Sequence, residues 1–108
     1  MSGFTQIDEG NFEREVLQAS VPVLLEFGGV WCKPCKSLEP LLQNLGEEWG
    51  AGVCLAKLDV DECPELTMRY QVMSLPTMIL FVNGQQRESM VGLQPAEKIR
   101  AMMAPYLD

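Results

Sequence analysis

Residues 23–36 read Val23-Leu24-Leu25-Glu26-Phe27-Gly28-Gly29-Val30-Trp31-Cys32-Lys33-Pro34-Cys35-Lys36. The first six are an apolar run of strand length, opened by Pro22 and interrupted only by Glu26. A helix follows, because Leu38, Leu41, Leu42, Leu45 and Trp49 recur at helical spacing between Lys33 and Trp49. Pro40 falls inside that pattern, so a kink is expected there. Two cysteines three residues apart therefore stand where a strand hands over to a helix. Residues at that spacing are helical neighbours, with Cβ atoms about 5–6 Å apart, and a small adjustment brings them into disulfide geometry.

Upstream, Phe4–Ile7 reads as a short strand. Asn11 reads as the cap of a helix through about Ala19, with Glu13 and Glu15 near its positive end. Downstream, Gly50-Ala51-Gly52 breaks the chain, Val53–Val60 is a second central strand, and Pro64 opens a short helix through about Tyr70. Thr77–Val82 is a third strand, Asn83-Gly84 a hairpin signal, and Arg87–Val91 its returning partner. Pro95 opens a last helix with Ile99, Met102, Met103, Tyr106 and Leu107 on its apolar face. The order βαβαβαββα predicts an α/β fold: three layers, α/β/α, around a central mixed five-stranded sheet. Strands separated by helices are expected to pair in parallel, and the one hairpin to supply an antiparallel edge. The two most apolar strands, Val23–Gly28 and Val53–Val60, belong in the centre.

At 108 residues the chain is expected to be a single domain spanning 1–108, and 47% apolar content is enough for a core without disulfide staples. A net charge of −7 argues against gripping a phosphate backbone or an anionic membrane. The first twenty residues carry Asp8, Glu9, Glu13 and Glu15 and lack a continuous apolar stretch, so no signal peptide is expected. No run approaches transmembrane length. These features point to the cytoplasm, where thiols stay reduced and cysteines serve catalysis or metal binding rather than stapling. The chain has no histidine, which removes His-assisted hydrolysis.

Within that frame Cys32 is the expected nucleophile. It sits at the helix N-terminus, where free N–H groups and the macrodipole favour a thiolate. Pro34 lies in the first turn, where its missing N–H costs nothing. Cys35, one turn deeper, is the expected resolving thiol. As a staple, the four-residue loop would contribute only about 2 kcal/mol by chain entropy. Thiol–disulfide exchange is the better reading of the pair. Zinc sites also use C-x2-C, but C-x2-C-x18-C-x8-C offers no second close pair.

From about Phe12 to the last helix the sequence resembles the thioredoxin family. Trp31-Cys32-x-Pro34-Cys35-Lys36 is similar to the family's active-site motif, and Leu75-Pro76-Thr77 to its cis-proline loop. Phe81-x-Asn83-Gly84, Val91-Gly92 and Pro40 match further landmarks. The resemblance implies a protein disulfide reductase with no bound cofactor, only a reversible Cys32–Cys35 disulfide. It implies disulfide-containing protein substrates and electrons from an external, thioredoxin-reductase-like donor. Pro76 would be cis and face the cysteines, and the Leu75 backbone would pair with substrate. Trp31, Met73, Gly92 and Leu93 would form an apolar docking rim. A monomer is expected.

Three departures from the family pattern bear on mechanism. Lys33 stands where glycine is typical, and a cation there favours the Cys32 thiolate. Glu26 stands where aspartate is usual. As the only charge in an apolar strand its pKa should be raised, and it is expected to take the proton of Cys35, with Lys57 as its partner. Gly28-Gly29-Val30 replaces a stretch that usually includes a tryptophan. These departures leave a second reading open, a thioredoxin-like binding module or partner-specific redox adaptor, although docking alone needs no dithiol. Cys54 is expected to be buried and inert. Cys63 is expected to be a plain surface or cap residue at a helix start, with regulatory oxidation as the sharper alternative.

Overall fold

The structure, a computed structural model, describes residues 3–107. Its strands are β1 (Thr5–Gln6), β2 (Val23–Gly28), β3 (Cys54–Asp59), β4 (Thr77–Val82) and β5 (Gln85–Val91). Its α-helices are α1 (Lys33–Trp49), α2 (Pro64–Arg69) and α3 (Ala96–Met103). The sheet order is β1-β3-β2-β4-β5. Strands β1 and β2 run parallel to β3, whereas β4 runs antiparallel to both β2 and β5.

The antiparallel β2–β4 pair departs from the expectation that intervening helices bring strands back in parallel. The reason is length. Helix α2 has six residues, about 9 Å of helix, which is too short to carry the chain back along a strand of roughly 20 Å. Strand β4 therefore starts at the end of the sheet where β3 finished: Gly28 is level with Asp59, and Phe27 with Thr77. Strands β2 and β3 are both interior to the sheet, as expected, but β3 is less completely covered than β4. Strand β4 is buried along nearly its whole length, while β3 leaves Cys54, Lys57 and Asp59 half-buried.

Side-chain alternation divides the core between the two faces of the sheet. Val23, Leu25 and Phe27 join Ile79 and Phe81 beneath Phe12, Val16 and Leu66. Leu24, Leu55 and Leu80 lie on the other face against Leu38, Leu42 and Leu45 of α1 and Ile99 and Met103 of α3. Glu26, Gly28 and Lys57 share the alternation of Leu24 and Leu55, so they belong to the α1 face.

The first helix differs from expectation. It is a single π-helical turn, Glu13–Leu17, with an N–H of Gln18 reaching the Glu13 carbonyl at 2.9 Å. Asn11 does not cap it. Its side-chain oxygen instead accepts from the Asp8 N–H at 2.8 Å, while Asp8 Oδ1 accepts from the N–H groups of Gly10 and Asn11. These short local bonds hold 8–11 as a turn and leave less chain for helix. The hairpin is a two-residue turn in which Asn83 and Gly84 both have positive φ, 53° and 79°, as twisted antiparallel strands favour. A bulge follows, with Leu80 level with Glu88 but Phe81 with Gln86.

Candidate active site

The cysteines lie at the end of the sheet reached by the C-termini of β2 and β3. Cys32 is the N-cap of α1: its backbone is extended, and its Sγ accepts the Cys35 N–H at 3.2 Å. The next N–H, that of Lys36, goes to the Cys32 carbonyl. Pro34 occupies the first turn, where no N–H bond is lost. Cys32 and Cys35 are joined as a disulfide with Cα atoms 5.3 Å apart, inside the range a disulfide accepts without backbone movement. Cys32 is 4% exposed and Cys35 fully buried. The outer sulfur therefore borders solvent and the inner one does not.

Gly28 is what lets this helix approach the strand end. A Cβ at that position would stand 3.2 Å from Cys35 Sγ and 3.2 Å from Glu26 Oε2. The inner sulfur and the carboxyl thus border the same small space. Glu26 is 1% exposed, and among the described residues neither of its oxygens has a hydrogen-bond partner. Burial pushes its pKa up to about 8; the Glu39 carboxylate adds to the rise and Lys57 opposes it.

The expected Glu26–Lys57 pair is not made. Glu26 and Lys57 are level in the β2–β3 ladder, but Lys57 Nζ bonds to Glu39 Oε1 at 3.3 Å. Glu39 lies four residues beyond Cys35 and so on the same side of α1, and its half-exposed carboxylate reaches the ammonium more cheaply than the buried one can. A cleft of about 570 Å³ opens beside this group, bordered by Glu26, Gly28, Gly29, Glu39, Lys57 and Asp59.

The Leu75–Pro76 bond is cis. Pro76 is buried and directly precedes β4, and its carbonyl accepts the Gly92 N–H at 2.7 Å. That bond ties the loop before β4 to the segment after β5. Leu75 is half-buried. Trp31, Met73 and Leu93 are 62%, 92% and 50% exposed, and Lys33 and Pro34 are exposed beside Cys32. Two features of this end were not read from sequence. Trp31 Nε1–H donates to Asp61 Oδ2 at 2.8 Å, a pairing across thirty residues with no local signal. Glu39 had one, its helical spacing from Cys35.

The other cysteines stand apart. Cys54 is level with Val23, at the opposite end of the sheet, and is half-buried rather than enclosed. Cys63 is the N-cap residue of α2, as expected, but its side chain is buried rather than at the surface and makes no capping bond, because it turns into the cluster around Ile7 and Leu66. Burial, with Glu9, Asp8, Glu62 and Asp59 adding, pushes its thiol up to about 11. That removes the basis for regulatory oxidation there. Among the described residues no group of three or more His, Cys, Asp or Glu side chains is placed to hold a metal ion.

The sequence model of the family described as Thioredoxin matches residues 3–105. The chain belongs to the thioredoxin family. It is 39% identical to the thioredoxin of Alicyclobacillus acidocaldarius over 101 residues, covering 94% of this chain and 95% of that one. It is 37% identical to the thioredoxin of Rickettsia bellii, over 82% of this chain and 85% of that one. It is 31% identical to the thioredoxin of Synechocystis sp. over 107 residues, 99% of this chain and all of the other. With the Cys32–Cys35 pair, family membership makes the chain a thiol–disulfide oxidoreductase whose redox group is its own disulfide. Its substrates contain disulfides, and a donor of the thioredoxin-reductase type recharges it. The binding-module alternative is not favoured. Among the described residues no helix is long and apolar enough to cross a membrane.

Proposed function

We propose that the chain is a monomeric cytoplasmic reductase of protein disulfides in which Cys32 attacks, Cys35 resolves and Glu26 handles the resolving proton. The observation that carries this reading is the N-cap bond. Cys32 Sγ, at the open end of α1, already accepts a backbone N–H, and the same donor and the helix dipole stabilise a thiolate.

In the reduced chain the Cys32 thiolate attacks one sulfur of a substrate disulfide. The substrate S–S bond breaks, a mixed disulfide forms on Cys32, and the first substrate thiolate leaves. Ionised Glu26 then takes the Cys35 proton, directly or through one water, across the space beside Gly28. The Cys35 thiolate attacks Cys32 Sγ, the mixed disulfide breaks, and the second substrate thiolate leaves. Two electrons have passed to the substrate, the Cys32–Cys35 disulfide remains, and the two leaving thiolates take up protons, one of them returnable from Glu26. A carboxyl with a pKa of about 8 suits this work, since a proton acceptor is most effective when its pKa is near the working pH.

Trp31, Met73, Leu75, Pro76, Gly92 and Leu93 form the substrate rim in this reading. Trp31, Met73 and Leu93 are exposed apolar side chains that substrate would cover, and the Leu75 backbone would pair with an extended peptide. Lys33 lowers the proton affinity of Cys32 from outside. Insulin reduction by dithiothreitol tests the whole. The wild-type chain accelerates it, Cys32→Ser abolishes the acceleration, and Cys35→Ser accumulates a mixed disulfide on Cys32 visible by mass spectrometry. Equal activity of Cys32→Ser and wild type would overturn the assignment.

A further inference from the structure

Glu26, Lys57 and Glu39 form a three-charge group in which one pairing is made and another withheld. Glu26 and Lys57 are level on adjacent parallel strands and share a face of the sheet, so the lysine has the reach to meet the carboxyl. Its Nζ is instead on Glu39 Oε1, 3.3 Å away, and 5.3 Å from the centroid of the Phe4 ring. Glu39 and Phe4 together hold the ammonium at the mouth of the cleft. The buried Glu26 carboxyl behind it keeps both oxygens unpartnered.

We propose that Glu39 is a positioning residue for disulfide reduction, holding Lys57 off Glu26 and so setting the pH at which Glu26 can accept the Cys35 proton. This rests on the proton-acceptor reading of Glu26 given above. A carboxyl paired with an ammonium is ionised at lower pH and is a weaker base, whereas one left alone in an apolar site holds its proton longer. The other groups facing this space are Cys35 and Lys36 of α1, Asp59 at the end of β3, Glu62 beyond it, and uncharged Gln6 of β1. Strand β4 contributes no charge. None of these makes a hydrogen bond to Glu26 among the described residues. Burial does most to hold the Glu26 proton, and Glu39 and Lys57, bonded to each other, are the two charges that adjust it.

Two readouts test it. The first is the carboxyl-carbon titration of Glu26 by NMR; the second is the pH profile of mixed-disulfide resolution in a single turnover. In Glu39→Gln both midpoints should fall by about one pH unit, because a like charge is lost and an opposite one is released toward Glu26. Adding Lys57→Met should bring both midpoints back up. An NMR midpoint that stays put in Glu39→Gln, or a fall that survives Lys57→Met undiminished, overturns the positioning role. If the NMR midpoint falls while the kinetic profile does not, Glu26 is not the proton acceptor, and Glu39 then has no part in the reaction.

Discussion

Glu26 and Lys57 are cross-strand partners in the β2–β3 ladder, yet the ammonium of Lys57 is bound to Glu39. A buried carboxyl without a partner costs stability whenever it is ionised. Its pKa is about 8 in the fold, against an ordinary value of 4.5. Between those values the folded chain keeps a proton that the unfolded chain has lost. The stability tied to this proton is therefore fully present below pH 4.5 and is lost as pH rises through 8, at up to about 1.4 kcal/mol per pH unit. Glu26→Gln should match wild type near pH 5 and exceed it increasingly toward pH 8. Urea unfolding at both pH values measures the difference; a constant difference would contradict the shift.

Lys33 follows Cys32 and is exposed. Its charge favours the thiolate by roughly 0.5 kcal/mol, the scale of an exposed charge pair, and by less in salt. Stabilising the thiolate stabilises the reduced form. Lys33→Gly should therefore move the potential of the couple to more negative values, by on the order of 10–15 mV. Equilibration with glutathione measures it, and no shift, or one to less negative values, would contradict the effect.

Gly84 has φ of 79°, and a Cβ there would stand 2.7 Å from the Leu17 carbonyl oxygen, a backbone atom that cannot move aside cheaply. Gly84→Ala meets both backbone strain and this clash. It should lower stability by about 2 kcal/mol or more, read as a drop in the urea midpoint with unchanged slope.

Cys63 should resist iodoacetamide in the folded, reduced chain at pH 7.5, because its thiol is buried and its pKa is pushed up to about 11. Cys32 should be modified first. Peptide mass spectrometry before and after denaturation distinguishes the sites, and early labelling of Cys63 would show that its pocket opens.

The strand run Val23–Gly28, the helix from Lys33 to Trp49 and the turn Asn83-Gly84 were legible because each is a local pattern. Apolar periodicity and turn chemistry act over a few residues, and here nothing in the fold opposes them. The cysteine pair was legible for the same reason, since a three-residue spacing at a helix start is sufficient geometry. The turn around Asp8 and Asn11 was missed because the Asn11 side chain can cap the helix or accept from the Asp8 N–H, and composition alone does not say which it does.

By itself, then, the sequence determined the redox pair, its position at a helix N-terminus and most element boundaries. Only the tertiary structure decided the direction of β4, the burial of Cys63 and the partner of Lys57. Each of these depends on which distant segments share a space. The direction of β4 turns on how far a short helix can carry the chain. The fate of Lys57 turns on which of two carboxylates, one buried and one at the surface, can be paired with less desolvation.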